Sequence, residues 1–244
     1  LLANDNNALT FKSRQALYNI LHSYYSISVN IKKAYRFAKK RVHLYLSEPE
    51  KTKQQTTSFL IAMDDLITVC NELKKHNEEK HYLDLLSKQS DLLTDEHEKS
   101  LVFFIFSHNS MNYYIKTGKF ETAIPFIEKF ERELADYENK LDDLRSTILR
   151  FKMAIIWFGK GKYKKSLQLL NKISNKGYIL NSRHDIESIL KIFYLIVQYE
   201  KGNSDLVFKL SKSENRSPAS NKRLYKFENI ILDFFSKKAH GTTG

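Results

Sequence analysis

Three of the chain's seven glycines mark one recurring local pattern, and that recurrence constrains the fold more than any other feature. Gly118, Gly161 and Gly202 each follow an apolar stretch with helical spacing and precede a second such stretch. They stand 43 and 41 residues apart. A spacing of that size is the signature of a repeated helical hairpin, with Gly supplying the left-handed residue that ends the first helix. The clearest copy runs from Leu101 through Phe103, Phe104, Met111 and Tyr114 to Gly118, then through Ala123, Ile124, Phe126, Ile127 and Phe130. Ile148 to Phe158, Gly161 and Ser166 to Ile173 form the next. Ile186 to Tyr199, Gly202 and Leu206 to Leu210 form the third, with Ser182 to Asp185 fitting a capping box before it.

Two further pairs lie upstream without glycine. Leu17 to Tyr25 and Ala34 to Val42 pair around Val29-Asn30, with Asn30 as the turning residue, since Asn tolerates the left-handed region. Phe59 to Leu73 and Tyr82 to Leu86 pair around Glu79-Lys80. A last helix over Asn221 to Phe235, carrying Leu224, Phe227, Ile230, Ile231 and Phe234, reads as a cap on the open end. Breaks fall at Ser47-Glu48-Pro49, Asp91 to Asp95, Asn175 to Gly177, Asn181-Ser182 and Ser213 to Ser220. Pro125 predicts a missing hydrogen bond and a kink if it lies beyond the first turn of its helix. With only three prolines and seven glycines in 244 residues, the chain lacks the turn chemistry of β-rich folds. The expectation is an all-α chain, residues 1–238 forming one domain and 239–244 a frayed tail.

The residues around the glycines resemble the tetratricopeptide repeat. Gly161-Lys162-Tyr163-Lys164-Lys165-Ser166-Leu167, preceded by Ala154 and Trp157, looks like that motif's small-and-aromatic first helix facing a turn Gly, an aromatic and a small residue. Gly118-Lys119-Phe120-Glu121-Thr122-Ala123 with Tyr114 is similar to it, whereas the Gly202 copy has Ser204 in the aromatic's place. The upstream copies keep Tyr82 and Ala34. The resemblance implies a right-handed solenoid of about five antiparallel helix pairs plus a C-terminal capping helix. It also implies a scaffold that holds a peptide or protein in the groove of its first helices. Tyr199 to Leu206, followed by Arg223 to Glu228, is similar to the C-terminal end of large uncharacterised bacterial repeat proteins, which implies that the chain is the C-terminal part of something longer.

No phosphate-binding loop, G-x-G-x-x-G or H-E-x-x-H pattern occurs, so the expectation is a binding protein and not an enzyme, with no cofactor and no metal. His76 and His81, five apart in a polar stretch read as a turn, do not share a helix face. Cys70 reads as a small buried hydrophobe. No run is long and apolar enough to span a bilayer and no signal peptide is visible, so the expected compartment is cytoplasmic.

Three sets of residues are candidate partner contacts. His108 and Asn112 lie one turn apart on the groove side of the Leu101 helix, read either as a hydrogen-bonded core histidine with its neighbour or as a contact. Phe151, Ile155 and Phe158 fall on the groove side of a helix apolar nearly all round, read either as covered by neighbouring repeats or as an apolar floor for a partner segment. Met153, Ala154 and Trp157 fall on its packing side.

The third set is basic. The net charge is +12, and from Asn6 to Ser47 there is no Asp or Glu. Lys32, Arg36 and Lys40 line one face, with Lys33 and Arg41 beside them; all five are expected to be exposed because no acid in the stretch can neutralise them. Glu121 to Asp143 is acidic, so charge is polarised along the chain. The basic face reads as a solvated surface, as a docking site for an acidic protein partner or an upstream acidic repeat, or as a nucleic-acid contact, the protein partner being favoured over nucleic acid because stacking aromatics are few.

Overall fold

The computed structural model describes residues 10–90, 93–137, 139–175, 184–216 and 226–238. Among these residues there are twelve helices and no strand. They are α1 (Phe11–Ile27), α2 (Ile31–Ser47), α3 (Pro49–Gln54), α4 (Thr56–Glu72), α5 (His76–Ser90), α6 (Glu96–Thr117), α7 (Phe120–Tyr137), α8 (Asp143–Gly159), α9 (Tyr163–Ser174), α10 (His184–Glu200), α11 (Ser204–Arg216) and α12 (Lys226–Lys238). Ser182, Gly177 and the tail from Ala239 lie outside the described residues, and with them the capping-box reading.

One backbone device is used five times. Gly118, Gly161 and Gly202 have φ of 66°, 74° and 90°, and Val29 and Lys74 have φ of 57°. At each of the five, the left-handed residue donates to the carbonyl three back and its successor donates to the carbonyl five back of its own position: Val29 to Ser26 and Asn30 to Tyr25, Lys74 to Asn71 and Lys75 to Cys70, Gly118 to Ile115 and Lys119 to Tyr114, Gly161 to Phe158 and Lys162 to Trp157, Gly202 to Tyr199 and Asn203 to Gln198. This is the Schellman termination, which satisfies the carbonyls a helix end would otherwise leave open. The five turns are spaced 45, 44, 43 and 41 residues apart.

The upstream turns differ from expectation. Val29, not Asn30, takes the left-handed conformation; Asn30 caps α2 by accepting from the Lys33 backbone amide. The second turn is at Lys74, and Glu79-Lys80 lie inside α5, as do His76 and His81. An L-residue at such a φ costs roughly 1–2 kcal/mol, and a β-branched one more than most. Val29→Gly is therefore expected to raise the unfolding free energy by about 1 kcal/mol, read as a higher urea midpoint at unchanged slope. A lowered midpoint would contradict the turn assignment.

The contacts group the chain into two compact units, residues 1–113 with 134–141, and residues 114–133 with 142–244. In the first, α2 packs against both α1 and α4, and α4 packs on α5. Ala34, Ala38, Val42 and Tyr45 of α2 meet Phe59, Leu60, Met63, Leu66 and Ile67 of α4, all buried. Small residues on α2 suit close approach of helix axes at about 8–10 Å. The short α3, with Pro49 in its first turn, fills the break expected at Ser47-Glu48-Pro49, and Thr52 ties it to the Tyr45 carbonyl at 2.6 Å.

In the second unit, α8 packs on α9, α9 on α10, α10 on α11, and α12 on α11 and α10. Ser166 is fully buried and donates to the Ala154 carbonyl at 2.8 Å, so a small side chain sits at the α8–α9 contact; Ala123 is likewise fully buried. Gly159 ends α8 where the Phe120 ring lies: an added Cβ would stand 2.5 Å from that ring. Pro125 lies inside α7, beyond its first turn, and supplies no amide donor to the Glu121 carbonyl. The terminal helix presents a different face from the one expected. Leu232 and Phe235 are buried, while Ile230 and Phe234 are 63% and 47% exposed.

Candidate interaction surface

The basic helix divides into two groups. Lys32, Lys33 and Arg36 are exposed and Lys40 is half-buried, its ammonium lying over the Tyr18 and Phe37 rings at 5.6 and 5.7 Å. Arg41 contradicts the expectation of exposure. It is 4% exposed, with Nη1 2.8 Å from the Asp65 carboxylate and Nη2 donating to the Ser58 carbonyl at 3.4 Å. The acid-free stretch is neutralised in part from other helices, by Asp65 of α4 and Glu78 of α5.

His22 of α1 completes the buried charge cluster. Its Nε2 lies 3.6 Å from Asp65 and its Nδ1 lies 3.2 Å from the Ala34 carbonyl. Burial opposes protonation, but the Asp65 carboxylate and the Ala34 carbonyl together outweigh it and the repulsion from Arg41, so the pKa lies above 6.5. A raised folded-state pKa contributes stability that is complete below pH 6.5 and is lost as pH rises through the folded value. The unfolding midpoint is thus expected to fall across that interval, and His22→Gln is expected to flatten the fall. An unchanged slope in the variant would exclude His22 as its source.

Around Glu78 a second cluster ties α2 to α5. Tyr35 Oη donates to its carboxylate at 2.6 Å, Lys39 at 2.8 Å and Lys75 at 2.7 Å. The hydrogen bonds from Lys39, Lys75 and Tyr35, in that order, hold the Glu78 pKa at about 2, and Lys39 is raised in turn. Lys39 and Lys75 are thereby engaged within the fold. What remains of the basic face is Lys32, Lys33 and Arg36, to which no described carboxylate pairs.

The other candidates are more enclosed. His108 and Asn112 are half-buried, and the His108 ring lies 5.3 Å from Phe104. The fully buried amide of this helix is the intervening Asn109, which donates to Asp64 at 2.7 Å and to the Ile105 carbonyl at 2.9 Å. Phe151, Ile155 and Phe158 are half-buried, and Phe193 of α10 stands edge-on to both Phe151 and Phe158 at 5.5 and 5.4 Å. The following helix pair thus takes part of that apolar face. Met153, Ala154 and Trp157 are buried, as expected of a packing side. A cavity of about 300 Å³ opens among α9, α10 and α11, walled by Leu170, Leu190, Tyr194, Leu195 and Leu210.

Sequence reasoning passed over Asp64 and Asp65 and took Glu79 for a turn residue. The signal was available: two adjacent acids interrupt the apolar run Phe59 to Leu73 and so had to find partners. Glu79 is buried and accepts from Asn71 at 2.5 Å, with His76 Nδ1 3.1 Å from its other oxygen. Cys70 is buried, and burial pushes its thiol up to about 12, consistent with an inert packing role. Among the described residues no group of three metal-ligating side chains converges, and no helix is long and apolar enough to cross a membrane. Comparisons with protein-family models, with curated proteins and with solved structures find no match.

Proposed function

We propose that this chain is a protein-interaction scaffold: a right-handed solenoid of about five antiparallel helix pairs, closed by α12, that binds a peptide or protein partner. The observation that carries the reading is the fivefold recurrence of one helix termination at spacings of 41 to 45 residues. Regular helical repeats build extended surfaces whose usual work is holding another chain. The resemblance of Gly161 to Leu167 and Gly118 to Ala123 to tetratricopeptide repeats points the same way. In the first unit the partner surface comprises the exposed cations Lys32, Lys33 and Arg36, with His108 and Asn112 as further contacts; Ile155 is a separate candidate contact of the second unit.

A second reading is nucleic-acid binding through the same basic face. The observation favouring it is the group of three exposed cations that have no carboxylate partner among the described residues. Titration of the purified chain with single- and double-stranded nucleic acid across a salt series separates the two. Binding through phosphates weakens by about 0.7–0.9 log units per log unit of salt for each contact. The scaffold reading expects only weak binding near physiological salt. Tight, salt-sensitive binding abolished by Lys32→Glu, Arg36→Glu and Lys40→Glu together would establish the alternative.

A further inference from the structure

We infer that the outer face of α1 and the α1–α2 turn, bordered by the cations of α2, dock an acidic amphipathic helix of a partner protein. The inference rests on the scaffold reading and specifies the surface and the chemistry of its partner.

Past its first turn, which holds Lys12 and Arg14, α1 carries no charge. Between Gln15 and Val29 there is no Lys, Arg, Asp or Glu. Tyr18, Leu21 and His22 turn inward and are buried. On the opposite face Ile20, Tyr24 and Ile27 are 58%, 60% and 83% exposed. Their spacing of i, i+4 and i+7 makes a continuous stripe on one side of the helix. A surface helix ordinarily turns polar residues outward, whereas the exposed side of this one sets Ile20, Tyr24 and Ile27 beside the uncharged Ser23.

The turn extends the stripe. Val29 is 79% exposed and holds φ of 57°. The four equivalent turns use Gly or Lys at that position. Here the fold retains backbone strain, which clusters at functional sites, and displays an aliphatic side chain to solvent.

Charge complementarity selects the partner. Lys33 lies over the Tyr25 ring at 5.0 Å, and Tyr25 meets Tyr24 edge-on at 5.2 Å, so Lys33, with Lys32 and Arg36 exposed on the same helix, adjoins the apolar stripe. A partner helix with anchors at i, i+4 and i+7 matches the stripe, and carboxylates along its flank meet Lys32, Lys33 and Arg36. An anionic bilayer fits less well. A helix lying in a membrane surface carries cations all along its own polar face, whereas those of α1, Lys12 and Arg14, both stand in its first turn. Nucleic acid would leave the aliphatic side chains Ile20, Ile27 and Val29 without a stacking role.

The test uses the full chain and a labelled synthetic peptide of three heptads, leucine on one face and glutamate elsewhere. Its controls are a scrambled peptide of the same composition, phosphatidylserine vesicles and the chain alone. The amphipathic peptide is expected to bind at least about tenfold more tightly than the scrambled one. Ile20→Ser with Ile27→Ser, and separately Lys32→Glu with Lys33→Glu and Arg36→Glu, are each expected to weaken it by about tenfold or more at unchanged helicity. Val29→Gly is expected to weaken it about threefold while raising the unfolding midpoint, a divergence that a purely structural role would not produce.

Equal binding of the scrambled peptide, tighter association with the vesicles, or self-association of the chain lost in Ile20→Ser with Ile27→Ser would overturn the proposal. A cellular protein captured after nuclease treatment and held equally by that variant overturns this surface and leaves the scaffold reading standing. Capture that nuclease abolishes overturns both.

Discussion

Replacing Arg41 by alanine is expected to cost about 2–3 kcal/mol, because it removes a buried, charge-assisted hydrogen bond and leaves the Asp65 carboxylate, 30% exposed, with only His22 beside it. The two groups are 2.8 Å apart, Arg41 is almost wholly enclosed, and His22 shares the same carboxylate. The loss includes the penalty of a carboxylate left under-paired and so exceeds the net worth of the pair. Arg41→Met with Asp65→Leu, which removes both charges and keeps side-chain volume, is therefore expected to recover most of the stability. Urea unfolding of the single and double variants measures both numbers. A loss under 1 kcal/mol for Arg41→Ala would mean that the cluster is solvated and that Arg41 belongs to the basic face after all.

Tyr45→Ala is expected to cost about 3–5 kcal/mol, the range for removing a large aromatic from a packed core. Tyr45 is fully buried at the junction of α1, α2 and α4, its ring 5.4 Å from Phe11 and 5.6 Å from Phe59. Its hydroxyl has no hydrogen-bond partner among the described residues. A buried hydroxyl without a partner carries its desolvation penalty uncompensated. Tyr45→Phe is accordingly expected to be neutral or stabilising, by up to about 1 kcal/mol, in the same measurement. Destabilisation by Tyr45→Phe comparable to that of Tyr45→Ala would contradict the packing described around this ring.

The turns were legible where glycine marked them and obscure where it did not. At Gly118, Gly161 and Gly202 the residue type announces the left-handed backbone. At Val29 and Lys74 the same geometry falls on residues that rarely adopt it, and neither residue type signals it. Asn30 misled because its capping role and its tolerance of left-handed backbone give it two reasons to stand near a turn. The last helix misled for a different reason. Ile230 and Phe234, and Leu232 and Phe235, both recur at helical spacing, so periodicity alone could not select the buried pair.

Of the candidate surface, Lys32, Lys33 and Arg36 were readable from the absence of acids nearby. The engagement of Arg41 and Lys39 was not, because their carboxylates lie 24 and 39 residues away in sequence. The apolar stripe of α1 was hidden for the same kind of reason. Ile20, Tyr24 and Ile27 look like core residues until the structure shows which face of the helix α2 occupies.

The central claim, that the chain works by holding another protein, is tested most directly by affinity isolation of the tagged chain from cells that express it, with and without nuclease. The account predicts a protein partner that survives nuclease and is lost or diminished when Lys32, Lys33 and Arg36 are reversed to Glu. Disappearance of every specific partner on nuclease treatment would contradict it and would assign the basic face to nucleic acid.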